Sequence, residues 1–414
     1  MIDRLSRGLI VPLTQWFMLD HLEGTEHIPA SGGYLIVANH ASFFDHFVVA
    51  AVIQRTRGHQ VKFLTKKESF EHPLSRWWHT AVGCIPLNRQ AADTQAIRAT
   101  LRALADGQVV CVYPEGTRTL TGFLQSGKPG AALLAALAQV PLLPIGIAGT
   151  FDVLPKHRVW PQRQRVTVRI GEPLAIPALP RRQRDAALAE WTQRIMDRLA
   201  SLSGEPTWPD AVPSEPETSY ERRLQAARYW NDRGIQAADQ HQGVSAQRYH
   251  WRARYITAEL LRDRHITADV WFEYGRAVGR LALTQYGPRK LLSLWQSHQA
   301  FQHALDLDGN HAHAHYALGL WYQMVPRALG GSVSRALAYF HAATRLAPDQ
   351  MGFWMGLGRC AMAARQWDVA ERAFQHAVQL PAQTVADRRR HLEANAWLLR
   401  WHLEQDISEV KNHA

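Results

Sequence analysis

The chain has 414 residues, 46% of them hydrophobic and 20% charged, with a formal net charge of +11 and three cysteines. That length argues against a single ordinary domain and for two or three, and the composition is that of a globular protein with enough apolar residues for its cores. Cys84, Cys111 and Cys360 lie far apart with no CxxC spacing, which argues against a disulfide framework or a zinc module and fits a reducing compartment.

The charge is uneven. Residues 1–204 hold 23 Lys+Arg and 15 Asp+Glu, and the remainder holds 24 and 21. The front of the chain therefore suits anionic partners such as phosphates, CoA-like donors, acyl carrier proteins, anionic lipid or nucleic acid, or simply presents a solvated basic surface.

Residues 1–20 come first. Leu5, Leu9, Leu13 and Trp16–Phe17 recur at helical spacing near Arg4 and Arg7. This predicts an amphipathic helix, either lying in a membrane interface or packed on the domain, and periodicity does not separate the two. Pro12, Thr14 and Gln15 interrupt the apolar stretch and no small-x-small site follows, so it does not read as a signal peptide.

Within a domain spanning residues 21–203, residues 30–170 alternate short β-like runs with helical stretches. The runs are YLIVAN, VKFLT, CIPLNR, VVCVYP, LLPIGI and RVTVRI. The expectation is an α/β domain, a mixed sheet flanked by helices, with a helix over about 93–105 and a closing one over about 182–202. Residues 131–149 are apolar enough to imitate a membrane span, but Pro141 and Pro144 break them. They read instead as an Ala/Leu helix ending near Gln139 and a buried strand over 142–147.

Residues 204–219 are rich in Pro, Ser and acids and read as a linker. Everything from 220 to 414 reads as helical. AFQHAL (300–305), YFHAAT (339–344) and AFQHAV (373–378) are self-similar, and an upstream Gly precedes each Phe: Gly275 before Phe301, Gly319 before Phe340, Gly358 before Phe374. This resembles a tetratricopeptide array of about three repeats over about 267–382, preceded by one or two further helices, whose surface takes a protein partner. His311, His313 and His315 invite a metal reading. Only His311 and His315 share a helical face, and no acidic or Cys ligand stands beside them in sequence. They read as surface or packing residues, and no metal is expected.

The chemistry concentrates at strand ends. Asn39-His40 follows the first apolar run, and Asp45 follows five residues later. His is the side chain suited to take a proton near neutral pH, and a carboxylate can orient it; alternatively, Ser42 and Asp45 cap a helix. GCIPLNR ends in Arg89, YPEGTRT presents Glu115, Gly116, Thr117 and Arg118, and VPLLPIGI is bracketed by prolines. Arg89 and Arg118 offer planar forks of donors that suit a phosphate, with Lys67 as a further cation and Lys66 as its rival. Glu115 either positions the acceptor or arginines, or stabilises its own turn. Cys84 sits in an apolar strand and reads as structural.

This ordered set resembles the PlsC-like 1-acylglycerol-3-phosphate acyltransferase family over roughly residues 20–200. Asn39, His40 and Asp45 match its first block, Arg89 its second, Glu115–Arg118 its third, and Val140, Pro141 and Pro144 its fourth. Asn88 stands where many members carry Asp. The resemblance implies acyl transfer from a thioester to the 2-hydroxyl of 1-acylglycerol 3-phosphate, with His40 as base, Asp45 as its orienter, and Arg89, Glu115, Gly116, Thr117, Arg118 and Lys67 around the substrate. The donor is acyl-CoA or acyl carrier protein, with no further cofactor. The expected location is the cytoplasmic side of a membrane, as a peripheral protein. Alternatives are another lyso-lipid or polar acceptor, or a scaffold with an inactive domain. No nucleic-acid motif is present.

Overall fold

The computed structural model describes residues 19–71, 76, 79, 84–88, 93–156, 158, 160–179, 182–207 and 220–412. Two compact units divide the chain, Met1–Ser219 and Tyr220–Ala414. Most of the expected N-terminal helix lies outside the described residues. Its last two residues do not belong to a helix: Leu19 and Asp20 begin strand β1, Leu19–Glu23. The stretch LDHLE keeps a helix-like spacing of its leucines, and pairing with distant β7 decides the outcome.

The front unit is built on a seven-stranded sheet. After β1 come β2 (Tyr34–Ala38), helix α1 (Asp45–Arg57), β3 (Val61–Lys66) and β4 (Ile85–Leu87). Then follow α2 (Thr94–Ala105), β5 (Val109–Val112), α3 (Gly130–Ala138) and β6 (Leu142–Ala148). A single turn α4 (Thr150–Val153), β7 (Val166–Ile170) and α5 (Arg184–Ser203) complete it. The sheet order is β1-β7-β6-β2-β5-β3-β4. Among the described strands only β6 and β7 pair antiparallel with each other.

β2, β5 and β6 are apolar throughout and lie in the middle of this order, buried on both faces. Helices α1 and α4 cover one face and α2, α3 and α5 the other. The order reverses at β2: the chain leaves it for β3, β4 and β5 on one side and β6 on the other. Such a reversal leaves a crevice beyond the carboxyl ends of parallel strands. Residues 204–207, taken from composition as linker, join the front unit through a parallel bridge between Leu124 and Thr207.

The back unit is a tetratricopeptide-like array of helices: α6 (Tyr220–Asp239), α7 (Gly243–Arg262), α8 (Ala268–Ala282), α9 (Gly287–Leu307), α10 (Ala312–Met324), α11 (Val333–Leu346), α12 (Met351–Ala363), α13 (Trp367–Gln379) and α14 (Val385–Asn412). Three hairpins, α8–α9, α10–α11 and α12–α13, coincide with the three sequence repeats. In each, the Gly of the first helix touches the Phe of the second. A Cβ on Gly275, Gly319 or Gly358 would fall 2.7, 2.8 or 2.7 Å from Phe301, Phe340 or Phe374, closer than packed atoms allow.

A fourth hairpin, α6–α7, is built the same way with a different residue. A Cβ on Gly234 would fall 2.5 Å from the ring of His250. His250 Nδ1 lies 3.2 Å from Asn231 Oδ1, and Asn231 Nδ2 donates to Glu273 Oε2 at 2.8 Å. The imidazole carries a polar handle that Phe lacks, so the motif is invisible to a search for AFQHA-like strings.

The histidine triplet is drawn into packing. His311 caps α10 by accepting from the Ala314 amide at 3.1 Å, His313 packs against the Phe272 and Phe353 rings, and His315 reaches the Gly309 carbonyl at 2.9 Å. No described helix is long and apolar enough to cross a membrane.

Candidate active site

The residues singled out by sequence meet beyond the carboxyl ends of β2, β5 and β6. Asn39 leaves β2 and locks it to β6. Its Nδ2 donates to the Ile147 carbonyl at 2.8 Å, and its Oδ1 accepts from the Ile147 amide at 2.7 Å. His40 comes next and is only 7% exposed. Its Nδ1 lies 2.9 Å from Asp45 Oδ2. The same oxygen accepts from the amides of Ala41 and Ser42, each at 2.8 Å. Asp45 is the first residue of α1, so one carboxylate both folds the turn before the helix and holds the imidazole. The carboxylate stands where an orienter of His40 would, and it does not cap α1, because the amides it accepts from precede the helix. A carboxylate facing Nδ1 selects the tautomer protonated there, leaving Nε2 as the basic nitrogen.

Ser42 does not cap α1 either. Its Oγ accepts from the Phe44 amide at 2.9 Å and donates to the Leu154 carbonyl at 2.7 Å, tying the His40 loop to the segment after α4.

Glu115 follows β5 and is 3% exposed. Its Oε1 accepts from the His40 amide at 2.5 Å and its Oε2 from the Gln125 amide at 3.0 Å. The carboxylate thus braces the main chain of the first block against that of the third. Thr119 N donates to the His40 carbonyl at 3.0 Å, a second clasp between the same two segments. Gly116 has φ +72°, a left-handed turn that suits glycine. The Thr117 carbonyl accepts from Gln125 Nε2 at 3.3 Å.

Arg118 is half-buried, and its charge is felt at His46. His46 stands edge-on to His40, with ring centres 5.3 Å apart. Burial above all, then the charges of His40 and Arg118, push the His46 pKa down to about 3. It is therefore a neutral wall of the site throughout the physiological range.

Two further residues join the site that sequence reasoning did not assign to it. Tyr113 stacks on the His40 imidazole with centroids 4.0 Å apart and planes 15° apart. Lys128 runs beside the Gly116 turn, its Nζ 3.2 Å from where a Gly116 Cβ would sit. The aromatic at the end of VVCVY and the Lys of KPG were visible in sequence, but nothing local aims them here.

Lys67 lies beyond the carboxyl end of β3 and is exposed. Its charge acts on Asp93, which caps α2 and accepts from the Asn88 amide at 2.7 Å. Lys67 thus attends the turn that leads to Arg89, which itself lies outside the described residues. Cys84 is half-buried, and burial raises its thiol pKa, the state of a structural thiol rather than a nucleophile. Among the described residues, no group of three or more His, Cys, Asp or Glu is placed to hold a metal.

The family model described as Acyltransferase matches residues 21–148. That stretch is a PlsC-like acyltransferase domain. It contains every described site residue above. A chloroplastic 1-acyl-sn-glycerol-3-phosphate acyltransferase of Arabidopsis thaliana is 33% identical over 138 residues, which are 33% of this chain and 37% of that protein. The 1-acyl-sn-glycerol-3-phosphate acyltransferase of Streptococcus pneumoniae is 28% identical over 203 residues, covering 48% of this chain and 72% of its own length. Among solved structures, the 1-acyl-sn-glycerophosphate acyltransferase PlsC of Thermotoga maritima aligns with a TM-score of 0.38 at 26% identity, over 48% of this chain and 79% of that one. The chain spans well under half the length of the Arabidopsis relative, and its helical array lies beyond the acyltransferase domain's match.

Proposed function

We propose that this protein transfers a fatty acyl group from a thioester donor to the 2-hydroxyl of 1-acylglycerol 3-phosphate, giving phosphatidate. The observation that carries this reading is the His40–Asp45 pair, held at 2.9 Å on a turn locked to β5 and β6. In the reaction, His40 Nε2 takes the proton of the acceptor hydroxyl as its oxygen attacks the thioester carbonyl. The negative charge of Asp45 stabilises the imidazolium that forms. The tetrahedral intermediate collapses, the C–S bond breaks, and the imidazolium returns its proton to the departing thiolate. No acyl-enzyme is needed, and the state of Cys84 is consistent with that.

Arg118 and Lys128 at the Gly116 turn, with Lys67 after β3, form the cationic surround for the acceptor phosphate, to which the family resemblance adds Arg89. Acyl-CoA or acyl carrier protein is the co-substrate, and no other cofactor enters the chemistry. The helical array is the docking unit for a protein partner. The test is thioester consumption by the purified full-length chain with lysophosphatidate, beside the His40→Ala variant. Turnover with lysophosphatidate that falls at least ~100-fold in the variant is the expected result. Near-normal turnover in the variant sinks the mechanism, and an active enzyme that ignores lysophosphatidate sinks the acceptor.

A further inference from the structure

Between α4 and β7 the chain makes a loop, residues 154–165, that the chemistry does not use. Its position is fixed by the sheet. β6 ends at the edge where His40 lies, and β7 runs back antiparallel beside it, with Ala148 opposite Thr167. The loop therefore leaves from and returns to the active edge. Its neck is closed by the Gln162 amide donating to the Val153 carbonyl at 2.9 Å, and its first residue, Leu154, is the one held by Ser42 Oγ.

The composition of this loop is unusual for a solvent-facing segment. Lys156, Arg158, Arg163 and Arg165 give it four positive charges and it contains no acid. Arg165 has one exposed ion pair, to Asp20 at 3.6 Å. At the tip Trp160 is 80% exposed. A second large apolar side chain, Phe43, is 40% exposed on the His40 loop that Ser42 ties to this one. An exposed indole costs free energy in water, and flanking cations remove any benefit of a purely apolar protein contact. The pairing of aromatic rings with Lys and Arg is what a lipid–water interface rewards, the rings entering the headgroup layer and the cations meeting anionic lipid.

We infer that the 154–165 loop is a membrane-docking surface that seats the active edge on an anionic lipid bilayer through Trp160 and its surrounding cations. An acidic protein surface would match the arginines but offers nothing to a protruding Trp160 and Phe43. The bilayer matches both features. Seating the loop there also brings the His40 edge to the surface from which an amphiphile with a long acyl chain must be drawn.

The experiment is co-sedimentation of the full-length chain with phosphatidylcholine vesicles, with and without phosphatidylglycerol. An acidic acyl carrier protein serves as a separate soluble probe. Binding is read without turnover, so the result stands whether or not the acyltransferase reading holds. The expected result is salt-sensitive binding to the anionic vesicles. Trp160→Ser should weaken it about tenfold, through lost apolar burial. Arg163→Gln should weaken it about fivefold, the effect of one cation at a charged bilayer. Both side chains are exposed, so unchanged circular dichroism and thermal midpoints are the control for folding. Vesicle binding equal to wild type in both variants overturns the inference. So does a wild-type chain that ignores vesicles and binds the carrier protein through these same residues.

Discussion

The amide of His40 and the carboxylate of Glu115 meet at 2.5 Å, joining the end of β2 to the end of β5. The second Glu115 oxygen takes the Gln125 amide at 3.0 Å. Glu115 thus acts on the imidazole through the main chain. Glu115→Ala leaves the buried His40 amide and the partly buried Gln125 amide without this acceptor, at about 1–3 kcal/mol for the buried one. Glu115→Gln keeps one oxygen and should fall between. Urea midpoints of the three proteins should rank wild type, Gln, Ala, with turnover in the same order. An Ala variant as stable as wild type would remove the brace.

Asp45→Asn separates the two duties of that residue. Oδ2 accepts from His40, Ala41 and Ser42, whereas Oδ1 is buried without a hydrogen-bond partner. An Asn can put its oxygen where Oδ2 is and its NH2 where Oδ1 is. The turn then survives, and stability should change by less than about 1 kcal/mol. Turnover should still fall at least ~100-fold, because the imidazolium loses its counter-charge. A folded Asp45→Asn enzyme with near-normal kcat would reduce Asp45 to the holder of its turn.

Arg118→Ala probes the acceptor phosphate. A charge-assisted contact of this kind is worth about 1.5–3 kcal/mol, or roughly 10- to 150-fold. The loss should fall mainly on acceptor KM, and Lys should rescue poorly because it lacks the planar fork. The wild type should use monoacylglycerol badly, and the variant should lose little more on it. Equal losses on both acceptors would assign Arg118 to the donor or to structure.

In the α6–α7 hairpin, burial first, then the charges of Arg280 and Arg276, push His250 down to about 4 from an ordinary 6.5. Below pH 6.5 the unfolded chain takes up a proton that the folded one refuses until about pH 4. Stability is therefore level above pH 6.5 and falls as the pH drops from 6.5 to 4, by up to about 3 kcal/mol. His250→Phe, which installs the residue of the other three hairpins, should remove that part of the slope. Urea midpoints of the full chain against pH, wild type beside variant, read the difference. Parallel curves would mean that His250 protonates as readily folded as unfolded.

The strands with continuous apolar runs were legible in sequence, because β2, β5 and β6 are buried on both faces and carry no alternation to confuse with a helix. β1 was not. It is an edge strand with a half-exposed pattern, and only its pairing with β7, far along the chain, gives Leu19–Glu23 its conformation. At the site, His40, Asp45 and Glu115 were legible because motif spacing is local. The stack of Tyr113 on His40 and the wall made by His46 depend on how β2, β5 and α1 pack, which spacing does not encode. In the array, Phe301, Phe340 and Phe374 announced three hairpins. The fourth was hidden because the chain solved the same packing problem with a histidine.

The pairing of β1 with β7 has a consequence for biosynthesis. Leu19 lies opposite Val166 in the finished sheet. β1, made before every other described strand, is thus among the last to find its neighbour. At ordinary translation rates it waits roughly 7–30 s for that partner to be made. During this interval β2 can pair with β5 and then β6, so the catalytic edge forms before the sheet is closed. Nascent β1 is an unpaired edge for that time, and its acidic and histidine side chains, Asp20, His21 and Glu23, make it a poor template for adhesion to other nascent chains.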